Sequence, residues 1–240
     1  MPNNSFQFKQ FKIEQEKSSM KVCTDSCLFG AWIAAKIELE IIQPKTILDI
    51  GSGTGLLSLM IAQKSNAQID SVEVDENPFQ QTRENFLESL WHKRLQAFHA
   101  DIKTWNSRSK YDLIISNPPF FENDLKSKTK SKNLAKHHNG LTLKELLQSI
   151  KKNLANDGNF AVLLPFHRVA YFKTLAAENS FYLKEELLIR QTPKHSYFRG
   201  MLFFGTKKES IITNELIIKN ESGNYSESLN FLLKDYYLYS

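Results

Sequence analysis

Apolar and polar residues alternate through Phe6-Gln7-Phe8-Lys9-Gln10-Phe11-Lys12-Ile13, which predicts a half-buried strand over residues 6 to 13. Leu28, Trp32, Ile33 and Ile37 then recur at helical spacing behind Thr24 and Asp25, either of which suits a helix cap, and Gln43-Pro44 breaks the helix. Residues 46 to 50 form a short apolar strand that runs straight into Gly51-Ser52-Gly53-Thr54-Gly55, and helical spacing resumes from Leu56 to Ile61. Ile69 to Val74 predicts the next strand, with Glu73 and Asp75 at its carboxyl end. Pro78 suits the first turn of a helix reaching about Leu90. Phe98 to Ala100 predicts a third, weaker strand that ends at Asp101. Tyr111 to Ser116 predicts a fourth, ending at Asn117-Pro118-Pro119-Phe120.

Beyond it, a polar stretch from Glu122 to Gly140 leads to a helix over Leu143 to Leu154. An Asp157-Gly158 turn precedes a fifth strand over 159 to 165, and another helix follows. Strands at 183 to 190, 201 to 206 and 214 to 219 and a helical tail from Ser226 to Tyr239 complete the chain. Strands alternating with helices, with glycine turns at strand ends, predict an α/β fold whose largely parallel sheet carries helices on both faces.

Composition changes this picture little. The 240 residues suit one large domain. Most of the 17 Phe and 8 Tyr are expected in the core, with some left to serve as stacking surfaces. A formal charge of +5 is a mild positive field compatible with a polyanionic partner. Cys23 and Cys27 are expected to be reduced thiols of a cytoplasmic protein, since neither a metal site nor a disulfide framework surrounds them. The polar start predicts no signal peptide, and no run of about 18 apolar residues predicts a membrane span.

Candidate chemistry sits at the strand ends. Gly51, Gly53 and Gly55 allow a sharp turn and a close approach to a ligand. Asp49, just before them, can attract the ammonium of an S-adenosylmethionine tail, or it can simply cap the turn. Glu73 is placed to accept from both ribose hydroxyls, with Asp75 its competitor on the same strand face. Asp101 can accept from the adenine amine, or serve as a helix N-cap. The chain has no GxxxxGK[ST] pattern, which disfavours ATP hydrolysis.

Asn117-Pro118-Pro119-Phe120 carries the catalytic expectation. Two prolines stiffen the turn and leave Asn117 and a neighbouring carbonyl at the strand end. The Asn117 oxygen and the Pro118 carbonyl can hold the two hydrogens of a planar NH2 group. The nitrogen then becomes more pyramidal and its lone pair is freed, which is catalysis by positioning and electrostatics. Phe120 can stack on the base that carries the amine.

The order of LDIGSGTG, strand-end Glu73, Asp101 and NPPF resembles class I methyltransferases with a (D/N)PP(Y/F) motif. Those enzymes span adenine-N6, guanine-N2 and glutamine-N5 chemistry. MKVCTDSCLFGAW at 20 to 32 and LIIKNESGNYSESLNFLLKDYYLY at 216 to 239 resemble elements of the bacterial tRNA1(Val) (adenine-37-N6)-methyltransferases. The resemblance implies a Rossmann-like fold with a mainly parallel seven-stranded sheet, S-adenosylmethionine as cofactor and a tRNA, tRNA1(Val), as partner. It further implies a single domain over 1 to 240, whose residues 1 to 43 form an extension covering the cofactor site. Thr24 and Asp25 would lie beside the methionine end of the cofactor, while Asn117, Pro118 and Phe120 would grip and stack the target. Phe120 departs from the commoner Tyr, and NPPF is also frequent among guanine-N2 rRNA enzymes. A guanine-N2 enzyme, a glutamine-N5 enzyme and a noncatalytic RNA-binding protein are therefore the alternatives.

A lysine run after the NPPF turn, Lys126, Lys128, Lys130, Lys132 and Lys136, is expected to contact RNA phosphates without reading sequence. Tyr197 and Arg199, in a basic-aromatic loop, are expected to stack on a base and pair with phosphate, although core packing of the aromatics is equally compatible. No metal and no membrane enter this picture, and a monomer is the expected state.

Overall fold

The computed structural model describes residues 4–18, 20–107, 109–119 and 140–238. Phe120 and the lysines at 126, 128, 130, 132 and 136 lie outside the described residues.

Two strands, β1 (Ser5–Gln7) and β2 (Lys12–Glu14), pair antiparallel as a hairpin, where alternation predicts one strand. The apolar residues themselves mark the turn: Phe6 and Phe8 keep one phase, Phe11 and Ile13 the other. The slip falls where Phe8 N–H donates to the Phe11 carbonyl at 2.9 Å and the two rings stack 4.5 Å apart. Helix α1 (Thr24–Glu38) follows, buried around nearly its whole first half, which fits a helix clamped between neighbours rather than laid on a surface.

The central sheet contains β3 (Thr46–Ile50), β4 (Gln68–Glu73), β5 (Leu95–His99), β6 (Tyr111–Ser116), β7 (Leu154–Pro165), β8 (Tyr182–Arg190), β9 (Tyr197–Gly205) and β10 (Ile212–Ile217). Their order across the sheet is β10-β8-β9-β7-β6-β3-β4-β5. Every pairing is parallel except those of β9, which lies antiparallel between β7 and β8. Among the described residues the sheet thus has eight strands rather than seven, because β10 adds a parallel edge beside β8. The expected Asp157-Gly158 turn is instead a bulge within β7, where the register against β6 jumps between Tyr111 and Leu113.

Side chains on the central strands alternate between two cores. In β6, Leu113 and Ile115 join one core and Ile114 the other. Strands buried on both faces therefore read as continuous apolar runs. Helices α1, α2 (Leu56–Ala62), α3 (Glu76–Leu87) and α6 (Glu227–Leu233), with the hairpin, supply the first core. Helices α4 (Leu143–Asn153) and α5 (Phe166–Glu178) supply the second. A capping box between Thr142 and Glu145 starts α4. Helix α6 is shorter than the tail pattern predicts. Tyr236, beyond its end, is buried instead as an anchor, its hydroxyl donating to the Met60 carbonyl at 3.0 Å.

Chain order moves from β3 outward through β4 and β5, then returns to β6 on the other side of β3. The carboxyl ends of β3 and β6 consequently border the crevice where α/β sheets bind ligands.

Candidate active site

The turn after β3 is left-handed at three glycines, Gly51, Gly53 and Gly55, with φ of 74°, 60° and 78°. A Cβ at Gly55 would lie 2.6 Å from Phe86, so that glycine is required by packing as well as by φ. A Cβ at Gly53 would meet nothing within 4 Å and would project into open space in front of the loop. The loop is fastened from behind. Gly53 N–H donates to Glu73 Oε2 at 2.9 Å, Thr82 Oγ1 donates to the Gly53 carbonyl at 3.0 Å, and Asn85 Nδ2 donates to the Thr54 carbonyl at 2.8 Å. Thr82 and Asn85, on α3, carried no sequence signal, because a buried polar position looks solvent-facing until its partner is known.

Three acids were candidates here. Asp49 is fully buried; Ser58 Oγ donates to its Oδ2 at 2.7 Å, while Oδ1 has no partner among the described residues. Burial foremost, with repulsion from Glu73 adding to it, pushes its carboxyl up to about 7 against the Ser58 hydrogen bond. Glu73 turns into the loop, its Oε1 accepting from Val74 N–H at 2.9 Å and Asp75 N–H at 3.1 Å. Asp75, its competitor, faces solvent at the start of α3. Asp101 organises a turn, accepting from Lys103 N–H at 2.9 Å through Oδ1, with Lys103 Nζ 3.5 Å from Oδ2.

At the neighbouring strand end, Asn117 follows β6 directly. Its Nδ2 donates to Ser26 Oγ at 3.0 Å and approaches the Met20 sulfur at 3.8 Å. Its Oδ1 is buried and has no partner among the described residues. Such an orphan costs roughly 1–3 kcal/mol and calls for an incoming donor. Pro118 is buried behind it. A shallow depression, open to solvent, is lined by Pro118, Pro119, Leu141, Leu143, Leu164, Pro165 and Arg168.

Thr24 and Asp25 open α1 near this turn, although Cys23 rather than either of them occupies the cap position. Asp25 Oδ2 accepts from Arg199 Nε at 2.7 Å in a half-buried ion pair. Arg199 is thus committed to α1. Tyr197 is likewise engaged, its hydroxyl donating to Glu215 and accepting from Arg190, whose guanidinium lies 4.2 Å over the ring. Both cysteines are free thiols, and burial pushes the Cys27 thiol up to about 12. Among the described residues no helix is long and apolar enough to cross a membrane, and no group of three or more His, Cys, Asp or Glu could hold a metal ion.

A mainly parallel sheet with one inserted antiparallel strand, a glycine turn after its central strand and an acid closing the next define an S-adenosylmethionine-dependent methyltransferase of class I. The family model described as "Methyltransferase small domain" matches residues 31–176. The chain is 38% identical over 236 residues to the tRNA1(Val) (adenine(37)-N6)-methyltransferase of Pseudoalteromonas translucida, covering 98% of this chain and 99% of that one. It is 39% identical over 244 residues to the enzyme of the same name from Dyadobacter fermentans, covering 99% of each. Among solved structures it is similar in fold to a protein described as a predicted O-methyltransferase from Agrobacterium tumefaciens, with a TM-score of 0.67, 14% identity, and 88% and 96% of the two chains covered. The ribosomal protein L11 methylase of Lactobacillus delbrueckii subsp. bulgaricus gives a TM-score of 0.53 at 16% identity, covering 75% of this chain and 77% of that one. The chain belongs to the methyltransferase small-domain family and, within it, to the tRNA1(Val) (adenine(37)-N6)-methyltransferases. Its cofactor is S-adenosylmethionine, and the site fits that group: an open cradle at Gly53, a buried oxygen on Asp49 with no partner among the described residues, and an acid at the end of β4.

Proposed function

We propose that the protein methylates the exocyclic N6 of adenine in tRNA, at A37 of tRNA1(Val), acting in the cytoplasm as a single-domain monomer. The observation that carries the chemistry is the buried Asn117 Oδ1, without a partner among the described residues, at the strand end beside the glycine turn. The tRNA and the position rest on the names of the full-length relatives.

S-adenosylmethionine, when bound, supplies an electrophilic methyl group. Asp49 Oδ1 takes its ammonium, Glu73 the ribose hydroxyls, Asp101 the adenine amine, and the Gly51, Gly53 and Gly55 backbone its close approach. Thr24 and Asp25 border the methionine end. An aromatic amine is a poor nucleophile because its lone pair is spread into the ring. Asn117 Oδ1 accepts one of its hydrogens and the Pro118 carbonyl the other, which localises the lone pair without a strong base. Phe120 stacks on the adenine, and the lysines from 126 to 136 hold phosphates. Tyr197 and Arg199 shape the RNA face from positions fixed by the Glu215 and Arg190 hydrogen bonds of the one and the Asp25 ion pair of the other. The extension over residues 1 to 43 closes the site, as the bonds that Asn117 Nδ2 donates to Ser26 and Met20 support.

Incubation with labelled cofactor and unmodified total tRNA and rRNA, followed by nucleoside mass analysis, tests this. N6-methyladenosine in one tRNA is expected. N2-methylguanosine in rRNA, or label in protein alone, would overturn it.

A further inference from the structure

We infer that Ser26 is a positioning residue for methyl transfer, holding the Asn117 amide in place while Met20 sets its polarity, so that its oxygen, rather than its nitrogen, faces the target amine. The inference rests on the proposed role of Asn117 as an acceptor for that amine.

A side-chain amide has two N–H donors and one acceptor oxygen, and nothing in its shape says which end meets the substrate. Reversed, Asn117 would point donors at an NH2 group that itself offers hydrogens. Two neighbours decide the matter. Ser26 Oγ lies 3.0 Å from Nδ2, and the Met20 sulfur, which can only accept, lies 3.8 Å away on the same group. A reversed amide would set its oxygen against that sulfur, so Met20 selects the polarity and Ser26 holds the place. The buried oxygen is left without a partner among the described residues.

Ser26 is itself well anchored. It is 5% exposed, its N–H donates to Asp25 Oδ1 at 3.1 Å, and its Oγ sits 3.0 Å from Cys23 Sγ. Asp25 is held in turn by Arg199 from β9. The start of α1 is thereby pinned across the sheet, and the hydroxyl that grips Asn117 is carried by a fixed backbone. Arg199 acts here as a clamp on α1.

The test uses the full chain with an unmodified tRNA1(Val) transcript, comparing wild type, Ser26→Ala, Ser26→Thr and Asn117→Ala. Single-turnover methyl transfer and KM for tRNA are measured beside calorimetric binding of S-adenosylmethionine. Ser26→Ala should slow transfer by about tenfold while cofactor affinity and KM stay within about twofold, the pattern of an interaction felt only in the transition state. Ser26→Thr, which keeps the hydroxyl, should restore most of the rate. Wild-type transfer by Ser26→Ala alongside an inactive Asn117→Ala would overturn the inference while leaving the role of Asn117 intact. A cofactor affinity that falls in step with the rate, or a Ser26→Thr as slow as Ser26→Ala, would also overturn it. Wild-type transfer by Asn117→Ala would remove the underlying proposal itself.

Discussion

The turns after β3 and β6 lie on paired neighbouring strands, yet they are held by different parts of the chain. The glycine turn is fastened by Glu73, Thr82 and Asn85, all within the span 31–176 that matches the family model. Asn117 is gripped by Ser26 and Met20, which precede that span, and the helix start bearing Ser26 is pinned by Arg199, which follows it. The matched domain thus fastens its own glycine cradle, while the Asn117 amide is held by the flanking segments.

If the cradle is self-contained, damage to it should register as lost fold or lost cofactor rather than as altered substrate handling. Gly55→Ala combines a left-handed φ with an approach of 2.6 Å to Phe86. It should cost about 2–4 kcal/mol in thermal or denaturant unfolding, from backbone strain plus overpacking. Gly53→Ala has the same backbone strain and an open Cβ site, so its stability loss should stay near about 1–2 kcal/mol. Cofactor affinity, by contrast, should fall by about tenfold or more, since the new methyl occupies the approach to the loop. Unchanged cofactor affinity in Gly53→Ala would show that the cradle does not face a ligand.

Asp49 sharpens the comparison through pH. The folded chain keeps its proton up to about 7, whereas an unfolded Asp releases it near about 3.9. Between those values the native state binds more protons, so this residue makes stability fall as pH rises across that window. Asp49→Asn should flatten that part of the stability curve, and affinity for the cationic cofactor should lose its rise toward pH 7. A slope identical to wild type contradicts the burial account.

The smallest expected effect separates clamp from phosphate contact. Arg199→Gln should slow transfer modestly and leave the salt dependence of tRNA affinity unchanged, because its guanidinium is engaged with Asp25. Neutralising Lys126, Lys128, Lys130 and Lys132 together should flatten that dependence. Each phosphate contact contributes roughly 0.7–0.9 to the slope of log affinity against log salt, so a drop of that size in Arg199→Gln would restore its phosphate role.

What was legible in the sequence follows the same divide. The glycine turn, Glu73 and Asn117 could be read because strand ends and left-handed turns are local constraints on the chain. The hairpin at residues 6 to 13 was misread by smoothing over a one-residue slip in an otherwise regular alternation. Ser26 leaves no sequence signal, and Arg199 reads in sequence only as a phosphate contact. Their partners lie 91 and 174 residues away, and an arginine beside aromatics looks the same in sequence whether it meets phosphate or an aspartate. Thr82 and Asn85 escaped notice for the same reason, since long-range pairing leaves no periodic mark.

The most direct test of the central claim is single-turnover transfer to tRNA1(Val) by Asn117→Ala, with S-adenosylmethionine binding measured on the same preparation. Loss of the amine's acceptor should slow transfer by about 10²–10³, the usual cost of removing one positioned polar group from a transition state, with cofactor affinity unchanged. N6-methyladenosine formed at the wild-type rate would contradict the account.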